Sequence, residues 1–400
     1  MNDFSLLIKP SAADCNLRCA YCFYIGRQAR TEPHPRMSDD VLESMISSYM
    51  RSRQATSYTF SWQGGEPALM GLGFFKKVVK LQIKHAPPGA IVCNAFQTNG
   101  SLITDDLAAF LAEYKFLFGV SVDGPAQAHD HYRKTTAGMP THASVCKGID
   151  RLKKHGVAFN ILALVNARTV KQPREIYGYF KNCGFLHQQY VPCVEFDAAG
   201  RLLPYSITGR EWGTFLCEIF DRWIGEDTSR ISIRQFDSIL EYLVSGKRNA
   251  CAMGMDCRQY FVVEYDGSVY PCDFFVRDDL RLGNVRNGTW KDFLASPVYR
   301  RFGLEKANWS EECRSCAWLA LCHGDCQKFR PVAGVEDAKA RSKSVLCEGW
   351  KAFYAHALPR LEGIADGIRD QETPAAASDQ PGTESRSVRI GVARAASRLP

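Results

Sequence analysis

Three cysteines near the start of the chain, Cys15, Cys19 and Cys22, carry the clearest chemical signal in the sequence. Their CxxxCxxC spacing offers three thiolates, whereas a cubane iron-sulfur cluster is normally held by four. A cubane bound there would keep one iron open to an outside ligand, which implies chemistry rather than structure. The alternative is a structural zinc site, but such sites are closed by four Cys or His ligands. The nearest downstream histidine, His34, lies between two prolines and has no such spacing.

Eight further cysteines between residues 251 and 347 form a second group of metal-ligand candidates. They are Cys251, Cys257, Cys272, Cys313, Cys316, Cys322, Cys326 and Cys347. Thiolates in this number suit two four-iron clusters or, as the alternative, two structural zinc ions. The other cysteines, Cys93, Cys146, Cys183, Cys193 and Cys217, are expected to behave as small buried hydrophobes.

The elements that must position these ligands follow a repeating pattern. Strands are predicted at 6–8, 58–62, 91–96, 118–122, 159–165 and 189–194. Between them lie amphipathic helices, two of which begin after the capping side chains of Ser38 and Thr104. Repeated βα units favour a parallel sheet that curls into all or part of a barrel. We therefore predict an α/β fold with a partial (β/α)6 TIM-like barrel over residues 1–240.

Four segments follow directly on predicted strands. They are the cysteine loop, GGEP at 64–67, QTNG at 97–100 and SVDGP at 121–125. In α/β barrels the chemistry lies where strands end and loops begin. We expect these four segments to meet at one end of the barrel.

A C-terminal cysteine-rich module is predicted over residues 241–365, after a helical stretch at 205–247. Within it, FVVEYDGSVYPC predicts a hairpin that turns at Asp266-Gly267. From residue 366 to 400 the composition shifts to Ala, Ser, Pro, Gln and Gly, and we predict a disordered tail. Scattered arginines near its end leave a basic interaction tail as the alternative.

Composition limits the functional classes. No apolar run approaches the roughly 18 residues of a membrane span, so no membrane association is expected. Residues 1–9 show no secretory signal, which predicts a reducing cytoplasm where sixteen cysteines favour metal over disulfides. The formal charge is +7. Bound clusters would offset about five of these charges, and no basic stripe is visible, so no nucleic-acid partner is expected.

The cysteine loop, followed by Phe23 and Tyr24, resembles the signature of radical S-adenosylmethionine enzymes. In that family the open iron chelates the amino and carboxylate groups of S-adenosylmethionine, and one electron breaks its S–C5′ bond to give a 5′-deoxyadenosyl radical. The resemblance implies cofactor-binding roles for Tyr24, Gly65, Glu66, Ser121, Arg133 and Val194. Without the resemblance, GGEP would be interpreted as a turn, Arg133 as a surface arginine and Val194 as a core valine.

The C-terminal cysteines resemble the SPASM domain of peptide-modifying radical enzymes, which holds two auxiliary four-iron clusters. Family precedent implies two interleaved ligand sets. The first is Cys251, Cys257, Cys272 and Cys326, and the second is Cys313, Cys316, Cys322 and Cys347. With the cysteine loop, this predicts three [4Fe-4S] clusters per chain.

Residues 4–365 resemble an anaerobic sulfatase-maturating enzyme, chiefly through CNLRCAYCFY, WQGGEP and the YPCD segment that ends at Asp273. The resemblance implies oxidation of a sulfatase Cys or Ser to Cα-formylglycine, with Asp273 as general base; taken alone, Asp273 would be a surface carboxylate. It also implies an unfolded Cys/Ser-x-Pro/Ala-x-Arg substrate segment and a flavodoxin- or ferredoxin-like reductant. After Arg133 the chain departs from the family, because KTTAGMPTHASV replaces a Gly-x-Gly-Thr-like segment.

Two alternative functions remain open from the sequence. Another SPASM maturase, for example one that forms thioether cross-links, would typically carry an N-terminal leader-peptide-binding domain, for which we expect no room before residue 15. A non-catalytic iron-sulfur electron carrier would need neither an open iron nor GGEP. Failure to cleave S-adenosylmethionine under reduction would favour the carrier.

Overall fold

The computed structural model describes residues 4–28, 34–52, 57–331 and 343–372. Within these ranges, ten strands form one sheet in the order β10-β9-β8-β1-β2-β3-β4-β5-β6-β7. The strands are β1 (Ser5–Lys9), β2 (Ser57–Trp62), β3 (Ile91–Thr98), β4 (Leu117–Ser121), β5 (Phe159–Val165), β6 (His187–Pro192), β7 (Ser232–Ile233), β8 (Tyr260–Glu264), β9 (Ser268–Tyr270) and β10 (Gly283–Asn284).

The α-helices lie between and after these strands. They are α1 (Ile25–Gln28), α2 (Asp39–Arg51), α3 (Gly71–His85), α4 (Asp105–Glu113), α5 (Ala126–Tyr132), α6 (His142–Lys154), α7 (Pro173–Asn182), α8 (Gly209–Glu226), α9 (Arg234–Ser245), α10 (Trp290–Ala295), α11 (Pro297–Glu305), α12 (Glu311–Arg314), α13 (Leu319–Cys322) and α14 (Cys347–Glu372).

Strands β1 to β6 pair in parallel and in chain order, which confirms the predicted α/β architecture. The sheet does not close on itself, because β1 pairs on its other side with β8 and β6 with β7. Alternate residues of β2, such as Tyr58, Phe60 and Trp62, are fully buried against the surrounding helices. Parallel strands send all their carboxyl ends to the same edge, so the four segments predicted to meet lie together there.

Both predicted helix caps are present. The Ser38 side chain accepts a hydrogen bond from the Val41 backbone at the start of α2, and Thr104 accepts one from Leu107 at the start of α4. Each cap satisfies a backbone N–H group that has no partner inside the helix. The caps fix where each helix begins, and therefore which of its side chains face the sheet.

The cysteine-rich part of the chain begins by extending the barrel sheet. Strand β8 pairs in parallel with β1, and it forms an antiparallel hairpin with β9 in which Gly267 takes a left-handed φ of 84°, as the Asp266-Gly267 signal predicts. The ring of Phe261 on β8 packs against Phe4 beside β1, with centroids 5.1 Å apart. This pairing places the residues that follow β9 directly beside the end of β1.

Helix α14 packs along α8 and α9. A Cβ atom at Gly349 would meet the backbone oxygen of Gly209 at 2.1 Å, so glycine at this crossing lets the two backbones touch. Helix α14 continues to Glu372, past the predicted tail boundary at residue 366, and Ala365 on its apolar face is buried. The remainder of the predicted tail lies outside the described residues. No helix in the described ranges is long and apolar enough to span a membrane.

Candidate active site

The cysteine loop leaves the end of β1 and is held by a second loop. Backbone N–H groups of Arg18 and Ala20 donate to the carbonyl oxygens of Lys134 and Tyr132 at 2.8 and 3.1 Å. Leu17 and Thr135 add an isolated antiparallel bridge. The segment after Arg133, which departs from the family pattern, therefore contacts the cysteine loop through backbone hydrogen bonds. Such bonds depend little on which side chains the segment carries.

The glycines of GGEP are required by close backbone approach to the cysteine loop. Gly64 has φ 117°, and Gly65 donates its N–H to the Ala12 carbonyl at 2.8 Å. A Cβ atom at Gly65 would lie 2.0 Å from the backbone oxygen of Asp14. A side chain there would displace the loop that carries the three cysteines.

Glu66 follows these glycines, and its backbone N–H donates to the Asp14 carbonyl at 2.8 Å. Its side chain is fully buried, and its carboxylate accepts hydrogen bonds from the Ala68 and Asn99 backbones and the Thr98 hydroxyl at 2.7–2.9 Å. Burial raises the pKa of this carboxyl group, although these hydrogen bonds oppose the shift. Glu66 ties two loops together, and its side chain does not line the cavity described next.

A cavity of about 480 Å³ opens at the carboxyl ends of the barrel strands. Most of the predicted site residues line it: Cys15, Cys19, Cys22, Tyr24, Gly65, Ser121, Arg133, Val194, Cys251, Cys257, Cys272, Asp273, Cys322 and Cys326. Two glutamines that the sequence reasoning missed, Gln63 and Gln97, also line it. Gln97 donates to the Ser121 hydroxyl at 3.2 Å. The structure thus joins the barrel loops and the cysteine-rich region in one chamber.

Arg133 presents a buried cation to this cavity. Its Nη1 donates to the Tyr21 hydroxyl at 3.0 Å and lies 3.9 Å from Asp123, while its Nε has no hydrogen-bond partner among the described residues. A buried guanidinium with a spare donor fits an incoming carboxylate. The carboxylate of S-adenosylmethionine is such a group.

The three thiols of the cysteine loop all line this cavity. Burial raises the pKa of Cys15 to about 12 and that of Cys22 to about 11, so cluster binding must release their protons. Within the described ranges, no three His, Cys, Asp or Glu side chains converge as a site for one metal ion. A cubane needs a wider cage, because its thiolates bind different irons.

The first predicted auxiliary set surrounds the far side of the cavity. Cys251, Cys257, Cys272 and Cys326 all line it as free thiols. Tyr260 lies 3.3 Å from the sulfur of Cys272. Burial raises the pKa of Cys272 to about 12, and the neighbouring Cys251 raises it further. Because all four thiols face one space, this set can hold a cluster.

The second predicted set also shares one space. Cys313, Cys316, Cys322 and Cys347 line a smaller pocket together with Trp350 and Tyr354. Burial raises the pKa of Cys322 to about 12. The pocket thus brings Cys347 near three thiols that precede it in the chain, and Cys322 lines the larger cavity as well, so the interleaved pairing stays a prediction.

Asp273 is the carboxylate that joins both halves of the chamber. It follows Cys272, is 5% exposed, and begins a short 3₁₀ turn. Its Oδ2 accepts hydrogen bonds from the Tyr24 hydroxyl and, at 3.1 Å, from Nε2 of Gln63. Lys9 Nζ lies 3.3 Å from Oδ1. Tyr24 follows directly on the cysteine loop. The Tyr24 side chain therefore connects Asp273 to the three-cysteine site.

Comparison with known proteins agrees with this geometry. The family model of the radical SAM superfamily matches residues 10–179, and that of the SPASM iron-sulfur cluster-binding domain matches residues 251–317. The cysteine-type anaerobic sulfatase-maturating enzyme of Clostridium perfringens is 38% identical over 375 residues, which cover 92% of this chain and 100% of that protein. The chain belongs to the anaerobic sulfatase-maturating enzymes.

Both named types of anaerobic sulfatase-maturating enzyme resemble the chain. The serine-type enzyme of Bacteroides thetaiotaomicron is 34% identical, over 92% of this chain and 93% of that protein. The solved structure of native anSMEcpe with bound AdoMet and Kp18Cys peptide superposes with a TM-score of 0.85 at 39% identity, covering 91% of this chain and 99% of that chain. The chain is therefore a radical SAM enzyme with the fold of that structure.

Proposed function

We propose that this enzyme oxidises a Cys or Ser side chain of a sulfatase polypeptide to Cα-formylglycine. The observation that carries the proposal is the position of Asp273, whose carboxylate faces the same cavity as the three-cysteine loop. The reaction requires that the radical and the proton acceptor both reach the same substrate side chain. Family membership supports the same reaction.

The cofactors we infer are S-adenosylmethionine and three [4Fe-4S] clusters. Cys15, Cys19 and Cys22 would hold one cluster, and the two auxiliary sets would hold the others. Arg133 and Ser121 would bind the carboxylate of S-adenosylmethionine, while Gly65 and Val194 would line the rest of its pocket. When bound, these groups supply a radical that takes one hydrogen atom from the substrate Cβ and an acceptor for a second electron.

The remaining step is a proton transfer that the protein's own side chains can perform. A Cys residue plus water becomes an aldehyde and H₂S with loss of two electrons and two protons, and a Ser residue loses the same without water. Asp273 accepts the thiol or hydroxyl proton as the carbon–heteroatom double bond forms. Tyr24 and Gln63 fix the direction of its Oδ2 through their hydrogen bonds. Lys9 Nζ lies 3.3 Å from its Oδ1.

We infer an extended, unfolded substrate segment of the form Cys/Ser-x-Pro/Ala-x-Arg. A cavity open at the strand ends can admit a chain, and Cβ must reach the radical closely for the correct atom to react. A flavodoxin- or ferredoxin-like protein in the cytoplasm would supply electrons.

Anaerobic reconstitution, followed by mass spectrometry of peptides incubated with S-adenosylmethionine and a reductant, tests the proposal. A Cys peptide should become about 18 Da lighter, and a matched Ser peptide about 2 Da lighter. A peptide with Ala at the target position is the control and should keep its mass. Consumption of S-adenosylmethionine with both reactive peptides unchanged would instead favour another SPASM maturase.

A further inference from the structure

Five buried residues form a closed ring of hydrogen bonds that includes Arg133. Nη1 of Arg133 donates to the Tyr21 hydroxyl at 3.0 Å, and that hydroxyl donates to Oδ2 of Asp123. The backbone N–H of Asp123 donates to Nδ1 of His129 at 3.4 Å. The ring closes through Thr141, whose hydroxyl lies 3.2 Å from Nε2 of His129 and donates to the Arg133 carbonyl oxygen at 2.7 Å. We call these five residues the Arg133 ring.

The direction of each bond in the Arg133 ring follows from its chemistry. A carbonyl oxygen only accepts, so the Thr141 hydroxyl donates its proton there and accepts from Nε2–H of His129. A backbone N–H only donates, so Nδ1 of His129 is the acceptor for Asp123. Both constraints give the same neutral form of His129, and burial lowers the pKa of this histidine well below its usual value. Each member therefore donates to the next in one direction, an arrangement in which the bonds strengthen one another.

Separate elements anchor the Arg133 ring. Asp123 follows β4, and its Oδ1 accepts a hydrogen bond from the backbone N–H of Leu164 on β5 at 3.1 Å. Thr141 precedes α6, and its own N–H donates to Oδ1 of Asp130 at 2.8 Å. Thr141 belongs to the segment after Arg133 that departs from the family pattern. That segment therefore holds the backbone of Arg133, while the cysteine loop and the β4 loop hold its side chain.

We propose that the Arg133 ring fixes the guanidinium in the orientation that receives the carboxylate of S-adenosylmethionine, with Tyr21, Asp123, His129 and Thr141 as positioning residues. The inference rests on the proposed role of Arg133, whose Nε has no partner among the described residues. An arginine side chain has many rotamers, and one that is already fixed loses less freedom when a ligand binds. The four positioning residues thus act on affinity through Arg133.

The test is equilibrium dialysis of S-adenosylmethionine against the reconstituted full-length protein, with iron content measured on the same samples. Thr141→Val keeps the shape of the side chain but removes the hydroxyl that joins His129 to the Arg133 carbonyl. We expect the dissociation constant to rise roughly tenfold, about the factor that an unmade buried hydrogen bond costs. Thr141→Ser keeps the hydroxyl and should restore the affinity.

Thr169→Val is the matched control. Thr169 is also buried, and its hydroxyl accepts the backbone N–H of Asn166 at 2.8 Å, outside the Arg133 ring. This variant should lose a comparable hydrogen bond and keep the affinity for S-adenosylmethionine. An equal loss of affinity in Thr169→Val and Thr141→Val would show that general destabilisation is the cause, and would overturn the inference.

A double variant tests whether the Arg133 ring acts as one unit. Tyr21→Phe opens the ring on the side-chain side of Arg133, whereas Thr141→Val opens it on the backbone side. Because either change breaks the same closed ring, the double variant should bind S-adenosylmethionine little more weakly than the weaker single variant. Losses that multiply, to roughly a hundredfold from two tenfold effects, would show two independent contacts and overturn the ring as a unit.

The remaining outcomes separate this inference from the proposed reaction. Unchanged affinity in Thr141→Val with full iron content would overturn the inference and leave the reaction intact. Loss of roughly four irons in Thr141→Val, the content of one cubane, would show that the ring supports the cysteine loop instead, and would also overturn it. Unmutated protein that binds no S-adenosylmethionine would overturn both. The expected affinities without any oxidised peptide would support the inference and overturn the reaction.

Discussion

Lys9 Nζ lies 3.3 Å from Oδ1 of Asp273, and both side chains are almost completely buried. The same ammonium pairs with Glu264 at 2.5 Å and lies over the ring of Tyr24, 4.8 Å from its centroid. Lys9 and Glu264 are register partners in the parallel pairing of β1 with β8. The pairing of the two halves of the chain therefore places a cation directly behind the proposed base.

Lys9→Met should destabilise the protein and impair the base. Removing one partner of a buried ion pair typically costs about 3–5 kcal/mol, because it leaves an uncompensated buried charge. Here Asp273 and Glu264 would both lose the cation that they share. Denaturant unfolding measures the loss. The matched control, Lys77→Met at an exposed pair with Asp39, should cost only about 0–1 kcal/mol. Equal losses in the two variants would contradict the role of Lys9.

Asp273→Asn should separate the radical step from the proton step. The amide keeps the shape of the side chain but cannot accept the proton, so 5′-deoxyadenosine should still form. Peptide oxidation should fall by ~10²–10⁴-fold, the usual cost of losing a general base. Chromatography measures the formation of 5′-deoxyadenosine, and mass spectrometry measures the oxidation of the peptide. A normal yield of formylglycine would remove Asp273 from the mechanism.

Iron content tests the three ligand sets. Reconstituted protein should hold about twelve irons, four for each cubane. Simultaneous Cys15→Ala, Cys19→Ala and Cys22→Ala should leave about eight and abolish cleavage of S-adenosylmethionine. Cys93→Ala, outside the three sets, should change neither quantity. Zinc in place of iron at the C-terminal sets would show that the auxiliary sites are structural.

The sequence predicted the parts of the site that depend on local spacing. The six barrel strands, the caps at Ser38 and Thr104 and the turn at Gly267 all follow from short-range patterns, and the structure confirms them. β6 ends at Pro192, before the predicted end at residue 194. Proline has no N–H group to donate to the neighbouring strand.

Features that depend on distant contacts were missed. Nothing near Lys9 in the sequence indicates that β1 will pair with β8, more than two hundred residues later. Glu66 sits in a family motif, yet its carboxylate faces Thr98 and Asn99 rather than the cavity. Lys306 has no motif at all, and only the fold reveals that it is buried.

Gly65→Ala should disrupt the cysteine loop without altering a ligand. The new methyl carbon would lie 2.0 Å from the Asp14 carbonyl oxygen, so one of the two loops must move. We expect roughly four irons to be lost, the content of one cubane. Gly73→Ala in α3 is the matched control, because a Cβ there has nothing within 4 Å. It should keep full iron and gain up to about 1 kcal/mol of helix stability. Full iron content in Gly65→Ala would show that the loop adapts.

Truncation of the C-terminus distinguishes α14 from the residues that follow it. Removal of residues 373–400 should leave stability and turnover nearly unchanged, because their composition offers little apolar surface to bury. Truncation after Gly363 should do more harm, since Ala365 is fully buried and Arg369 donates to the Leu243 carbonyl on α9. Loss of these contacts should cost on the order of 1–3 kcal/mol by denaturant unfolding. Because α14 begins at Cys347 of the second auxiliary set, the shorter protein should also lose iron there on mild heating before the longer one does. Equal stability of the two truncated proteins would show that the last turns of α14 support nothing.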